Sequence, residues 1–289
     1  MPSVAVVSDT TGYLPRDLAA ANGIELVSLY VDFGGGHFEP EVALPDLDAF
    51  YEQLRSGERL PTTREPSVED FVAAYGPLLD DGRDVVSVHI SSGLSDTCGA
   101  AREAAGRLER EGLGGERVHV VDSATAGGGV GIMALAAARR AAAGDPVEAV
   151  LRQVAKARQE WKMWCFLDTL EFLRRGGRIG PLRAWVGSTL RAKSIVTVDG
   201  DVRPIERVRT HARAVERMVD YARQRSESGA DAWVVQHSQW PAEAEALIES
   251  CRAVFGTGPV FVSAIGPVVG AHTGPGMLGV GALPARCLA

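Results

Sequence analysis

Apolar residues in the first half of the chain come in two alternating kinds of run. Short β-branched or apolar stretches read as buried strands: Val4–Val7, Ile24–Val31, Val85–Ile90 and Val118–Val121. Between them, apolar positions at helical spacing predict helices over Leu14–Asn22, Leu47–Ser56, 67–80, 96–109 and 131–143. Gly23 and Gly57 stand just past two helix ends, where a left-handed residue closes the last turn. Ser67, with Asp70 three residues on, forms a shortened capping box. Strand, loop and helix alternating in this way predict a parallel sheet with helices on both faces. The loops Ser8–Thr11, Ser91–Ser95 and Gly127–Gly131 then fall beyond the carboxyl ends of its strands, where such sheets bind ligands.

The pattern changes near residue 160. A helix over 146–158 leads to a strand, Trp164–Leu167, and a helix, Leu170–Arg175, stopped by Gly176-Gly177. Ser194–Val198 and Val202–Val208 read as a hairpin across Asp199-Gly200, a type I′ turn signal. A helix (211–227), a strand (232–237), a helix (241–254), a strand (260–265) and a last strand (277–283) follow. The expected fold class is therefore α/β with two domains. Residues 1–160 form a parallel α/β domain flanked by helices, and residues 161–289 form an α/β domain with a mixed or antiparallel sheet.

Composition narrows the function. The 289 residues carry a net charge of −7, and 46% are hydrophobic, values of an ordinary water-soluble chain. An acidic balance disfavours a general nucleic-acid binder. Of 30 basic residues only Lys156, Lys162 and Lys193 are lysines, so the positive charge is mostly guanidinium, suited to carboxylate or phosphate. Cys98, Cys165, Cys251 and Cys287 form no CxxC pair, which fits reduced thiols and a cytoplasmic location. The start of the chain reads as a strand and not as a signal peptide. Residues 253–285 carry no charged side chain, but Gly256, Gly258, Pro259, Gly266 and Pro267 break them, so no membrane span is expected.

Several motifs bear on chemistry. Gly129-Val130-Gly131-Ile132-Met133-Ala134 matches a dinucleotide pattern, yet the following strand with its acidic end is missing. The same glycines serve equally to pack a helix tightly on a sheet. The chain has no P-loop, no GxSxG elbow, no HExxH and no metal-type ligand cluster. Ser95 is placed to cap a helix, or to donate to an anion at that helix start. Thr62-Thr63 reads as turn chemistry before the next helix. His272 lies in a charge-free Gly/Pro loop, and loops are favoured places for binding groups. Arg174, Arg175 and Arg178 form one basic cluster; Arg203, Arg207, Arg209 and Arg213 form another. Such clusters are solvated faces or partners for an acidic group.

Taken together, VSDTTGYLP (7–15), TREPS (63–67), HISSGLSDT (89–97), VVDS (120–123), DTLEFLRRGGRIG (168–180) and IGPVVGAHTGPG (265–276) resemble the DegV family of fatty-acid-binding proteins. The resemblance implies one long acyl chain buried in an apolar tunnel, with no catalysis, cofactor or metal of the protein's own. It implies that Thr63 and Ser95 hold the lipid carboxyl, with Ser92 in the same turn and His272 close by. It further implies a separate fatty-acid kinase that makes an acyl phosphate, a precursor for phospholipid, with Arg178 and Arg209 facing that kinase. Transient membrane contact is compatible with such a carrier. Arg64 and Glu65 depart from the usual Ser and Gln of the family, Asp96 replaces a glycine, and Cys98 replaces a tyrosine.

The physics of such a site is simple. Burial is worth about 0.8 kcal/mol per methylene, so about fourteen methylenes supply roughly 11 kcal/mol before the entropy of binding is subtracted. Hydroxyls then suffice at the head. Candidate walls lie at 26–31, 130–137, 164–167 and 260–269. Two other readings stay open: an enzyme acting on a small acyl or phosphorylated substrate through Ser95 and His272, and a nucleotide-binding module at Gly127–Gly131.

Overall fold

The computed structural model describes residues 3–44, 46–57, 60–185 and 193–289. Its strands are Val4–Asp9 (β1), Ile24–Val27 (β2), Tyr30–Asp32 (β3), Glu39–Pro40 (β4), Thr62–Arg64 (β5), Asp84–His89 (β6), Val118–Asp122 (β7), Lys162–Leu167 (β8), Lys193–Asp199 (β9), Asp201–Val208 (β10), Ala232–His237 (β11), Phe261–Ala264 (β12) and Leu278–Leu283 (β13). Its α-helices are Arg16–Ala21 (α1), Leu47–Ser56 (α2), Val68–Asp80 (α3), Thr97–Arg110 (α4), Gly128–Ala142 (α5), Val147–Glu160 (α6), Glu171–Arg175 (α7), His211–Glu227 (α8), Pro241–Phe255 (α9) and Pro267–Thr273 (α10).

Four strands form a parallel sheet in the order β2-β1-β6-β7. Side chains alternate across a strand, so β1 serves two cores. Ala5 and Val7 pack with Phe71, Tyr75 and Leu108 of α3 and α4. Val4 and Val6 face the opposite way, into the cluster built on α5 and α6. The capping box at Ser67 and Asp70 forms as expected.

Six strands form the second sheet, β10-β9-β8-β13-β11-β12, in which only β11 and β12 run parallel. Alternation again divides the faces. Met163, Cys165 and Leu167 of β8 join the α5–α6 cluster, and Phe166 joins Met218, Tyr221 and Leu247 of α8 and α9. The layers are therefore helices, parallel sheet, helices, mixed sheet, helices.

The glycine run lies at the start of α5, between the sheets. A Cβ on Gly131 would sit 2.9 Å from the Gly12 carbonyl and 3.1 Å from the Phe261 ring; one on Gly128 would sit 2.7 Å from Val234. The Gly128 amide donates to Gln236 Oε1 at 3.0 Å. The glycines thus allow close packing on both sides, and the helix start is covered by a side chain where a pyrophosphate would have to approach.

Several expectations change. Ile24–Val31 is not one strand: the chain leaves the parallel sheet after Val27, and Tyr30–Asp32 joins a small antiparallel sheet, β4-β3-β5. Thr62-Thr63 is strand and not turn, with Thr63 opposite Val31. Ser95 is not the helix cap; that position falls to Asp96, which makes no side-chain capping bond. His272 sits in α10 and not in a loop. The hairpin forms, but pairing extends to Asp199 and Asp201, leaving Gly200 alone at the tip with a left-handed φ of 74°. No helix among the described residues is long and apolar enough to cross a membrane.

A methyl at position 131 has no room, whereas one at Gly106, inside α4, meets only the far end of Arg110. Chemical denaturation should show Gly131→Ala losing about 1–3 kcal/mol and Gly106→Ala gaining about 0.5–1 kcal/mol.

Candidate functional site

Loops at the carboxyl ends of the parallel strands meet elements of the second half of the chain. The hairpin tip docks first: Ser91 Oγ donates to the Gly200 carbonyl, and the Gly200 amide donates to the Ala124 carbonyl at 2.8 Å. Gly93 is required beside it, since a Cβ there would lie 2.5 Å from the Gly200 oxygen. Helix α10 is anchored by a buried acid. Glu41 accepts from Thr10 Oγ1, from Tyr13 OH at 3.1 Å and from the Val268 amide at 3.2 Å. Tyr13 OH in turn accepts from the Val269 amide at 3.0 Å. Burial pushes the Glu41 carboxyl up to about 7, against the pull of these hydrogen bonds.

These contacts enclose a cavity of about 90 Å³. Its apolar wall is Leu29, Ile90, Leu94, Ala126, Leu173, Val198, Val202, Val268 and Val269; its polar members are Thr63, Arg64, Glu65, Ser95, Arg178, His272 and Thr273. Thr63 Oγ1 is 2.9 Å from His272 Nε2, a contact between residues 209 apart in sequence. His272 Nδ1 is buried, has no hydrogen-bond partner among the described residues, and faces Gly176, where any side chain would collide with the ring. Arg178 donates from Nε to the Leu94 carbonyl at 3.1 Å and from one terminal nitrogen to the Gly176 carbonyl at 2.8 Å. Its guanidinium is thereby held beside both His272 and the Ser95 turn. Burial, reinforced by that guanidinium, lowers the His272 pKa to about 4, so the imidazole is neutral at pH 7. Ser95 Oγ lies 2.8 Å from Thr97 Oγ1.

Thr63, Ser95 and His272, expected to share a site, line this one cavity. Arg178, expected at an outer surface, lines it too, although its side chain is largely exposed. Ser92 is exposed and lies outside the lining, its amide 3.3 Å from Asp122. Arg209 is exposed and also outside it. Asp96 turns away, its carboxylate lying over Gly99 in the first turn of α4. Arg64 is drawn outward onto the rings of Tyr30 and Phe38, at 4.9 and 4.8 Å. Of the expected walls, Leu29, Val268 and Val269 line the cavity; 130–137 and 165–167 are buried outside its lining, and Trp164 lines a separate groove. The hairpin valines, Val198 and Val202, were not anticipated as walls, because only docking of the tip brings them there.

A Ser95–His272 pair is not formed, since His272 Nε2 is engaged by Thr63 and Ser95 by Thr97. Another array has triad-like composition. Asp9 Oδ2 is 3.1 Å from His89 Nδ1, His89 Nε2 is 2.6 Å from Ser87 Oγ, and Ser87 meets Tyr75 OH at 2.8 Å. Asp9, His89, Ser87 and Tyr75 are all at most 1% exposed, so the array ties β1, β6 and α3 together and keeps the Ser87 hydroxyl buried.

Apolar side chains, hydroxyls, a neutral imidazole and a guanidinium gathered at one cavity make it the candidate binding site of the described residues. Residues 3–285 match a family model described as "Uncharacterised protein, DegV family". A DegV domain-containing protein of Streptomyces coelicolor is 37% identical over 282 residues, covering 96% of this chain and 97% of that one. The protein DegV of Bacillus subtilis is 30% identical, covering 96% and 98%. Among solved structures, a fatty-acid-binding DegV family protein from Thermus thermophilus superposes with a TM-score of 0.86 at 32% identity, covering 98% of this chain and 99% of that one. DegV of Bacillus subtilis, a fatty acid binding protein, gives 0.85 at 29% identity, covering 98% and 100%. The chain belongs to the DegV family.

The depressed His272 pKa has a sign that can be checked. A buried neutral histidine stabilises the fold above its unfolded value of 6.5, and that contribution is lost as pH falls towards about 4. NMR titration should show the His272 ring remaining neutral down to about pH 4, and Arg178→Gln should raise the midpoint.

Proposed function

We propose that this protein binds one long-chain fatty acid, its carboxyl among Thr63, Ser95 and His272 and the adjoining part of its chain in the apolar cavity, and presents that carboxyl to a separate fatty-acid kinase. The observation that carries the reading is the convergence, at one apolar cavity, of Thr63, Ser95, Arg178 and His272 from four distant segments. The fatty acid binding described for the Thermus and Bacillus relatives supports it.

In this reading the two hydroxyls donate to the carboxylate, and the neutral His272 holds Thr63 in place through Nε2. Arg178 flanks the head group and offsets its charge without closing on it, since its backbone bonds to Leu94 and Gly176 hold it at the rim. An oxygen of the acid stays open to phosphorylation. Arg209, exposed at the far end of the hairpin, is the residue for kinase contact, with Arg178 next to the reacting carboxyl. The protein itself supplies binding and orientation, with chemistry assigned to the kinase, in the cytoplasm where phospholipid precursors are made. The two-domain division at residues 160 and 161 fits this use, with the acyl chain enclosed by elements from both.

Native mass spectrometry should show fatty acid co-purifying at one per chain. Each lost hydrogen bond to the carboxylate costs about 1.5 kcal/mol or more, so Thr63→Ala with Ser95→Ala should weaken binding roughly 150-fold or more. Arg209→Ala should leave binding intact and abolish acyl-phosphate formation by an added kinase. Absence of lipid together with no binding on titration would reject the reading.

A further inference from the structure

The lipid cavity does not end against solid core. On the far side of the β9–β10 hairpin lies a groove of about 990 Å³ between α6, α8 and the mixed sheet. Val198 lines both the cavity and this groove. The loop after β7 is divided in the same way: Ala126 faces the cavity, while Ala124 and Thr125 face the groove. The partition there is about one side chain thick. Behind it the groove floor is apolar and aromatic: Val121, Leu151, Trp161, Trp164 and Tyr221.

The volumes make this partition matter. Pockets that bury drug-sized ligands run to about 300–1,000 Å³, whereas the cavity beside Thr63 and His272 measures about 90 Å³. Resting on the fatty-acid reading, we propose that Val198 is the chain-length gate of this protein, and that the methyl end of a long acyl chain passes it to lie on the Trp161–Trp164 floor of the second groove. Val198 suits that role. It is half-buried, its β-branched side chain is held by pairing with Val202, and the hairpin tip beyond it is pinned by Ser91 and Ala124. The rest of the groove lining is largely polar, with Arg158, Lys162, Asp199 and Arg225 among it, so an apolar chain end has only the apolar and aromatic floor to lie on.

Titration with straight-chain saturated acids from decanoate to stearate tests the gate. Val198→Phe should weaken stearate at least about tenfold more than it weakens decanoate, since more of the longer chain's methylenes lie beyond the gate and lose their burial. Ala155→Trp, an exposed position on the groove wall remote from the head-group residues, should also weaken stearate selectively. Equal weakening at every length, or unchanged stearate binding in both variants, overturns the gate. Should Val198→Phe fail to fold, unchanged stearate binding by Ala155→Trp overturns it alone. A wild-type protein that binds no acid of any length rejects the fatty-acid reading first, and the gate with it, before any variant is compared.

Discussion

One helix buried between two sheets governs this structure. α5 has no solvent face to spare: twelve of its residues, from Gly128 to Ala141, are buried. Its first turn must approach the β1 loop on one side and β11–β12 on the other, and only residues without a side chain fit there. That close approach brings the carboxyl-end loops of the parallel sheet against the hairpin and α10 of the second half. The cavity is a product of this closure, lined by β5 and the β6 loop from one side and by Val198, Val202 and α10 from the other.

The electrostatics of the cavity follow from the same burial. An unpaired cation deep in an apolar cavity is costly, and a neutral histidine is cheap. Here His272 is neutral through desolvation, and the Arg178 guanidinium beside it lies at the exposed rim. A carboxylate met by hydroxyls is held by modest hydrogen bonds, and affinity then comes from the chain, whose burial scales with length. In the proposed function, recognition of the head and selection of the tail are therefore separable, one assigned to Thr63, Ser95 and His272, the other to the apolar walls.

What was legible along the chain was local. Hydrophobic period marked out the strands and long helices, the Ser67 capping box marked α3, and Asp199-Gly200 marked the hairpin, because each signal lies within a few residues of the element it specifies. Where tertiary pairing overrode local preference, the reading missed. Ile24–Val31 is apolar apart from Glu25 and Ser28, and nothing within it says that Leu29 must turn away to meet Thr10. Thr62-Thr63 has the look of a turn until β3 arrives to pair with it. Ser95 has the right chemistry for a cap, yet its hydroxyl meets that of Thr97 and no helix amide.

The amino-acid sequence by itself determined the α/β class with one parallel and one mixed sheet, the family, and the candidates Thr63, Ser95 and His272 that meet at one cavity, since these depend on periodicity and on motifs read in place. Only the tertiary structure decided that Arg178 borders the cavity, that Ser92 and Asp96 do not, and that Val198 stands between two hollows. Those outcomes depend on contacts between residues tens to hundreds of positions apart, such as the 209 between Thr63 and His272, and packing of that kind leaves no trace in local spacing.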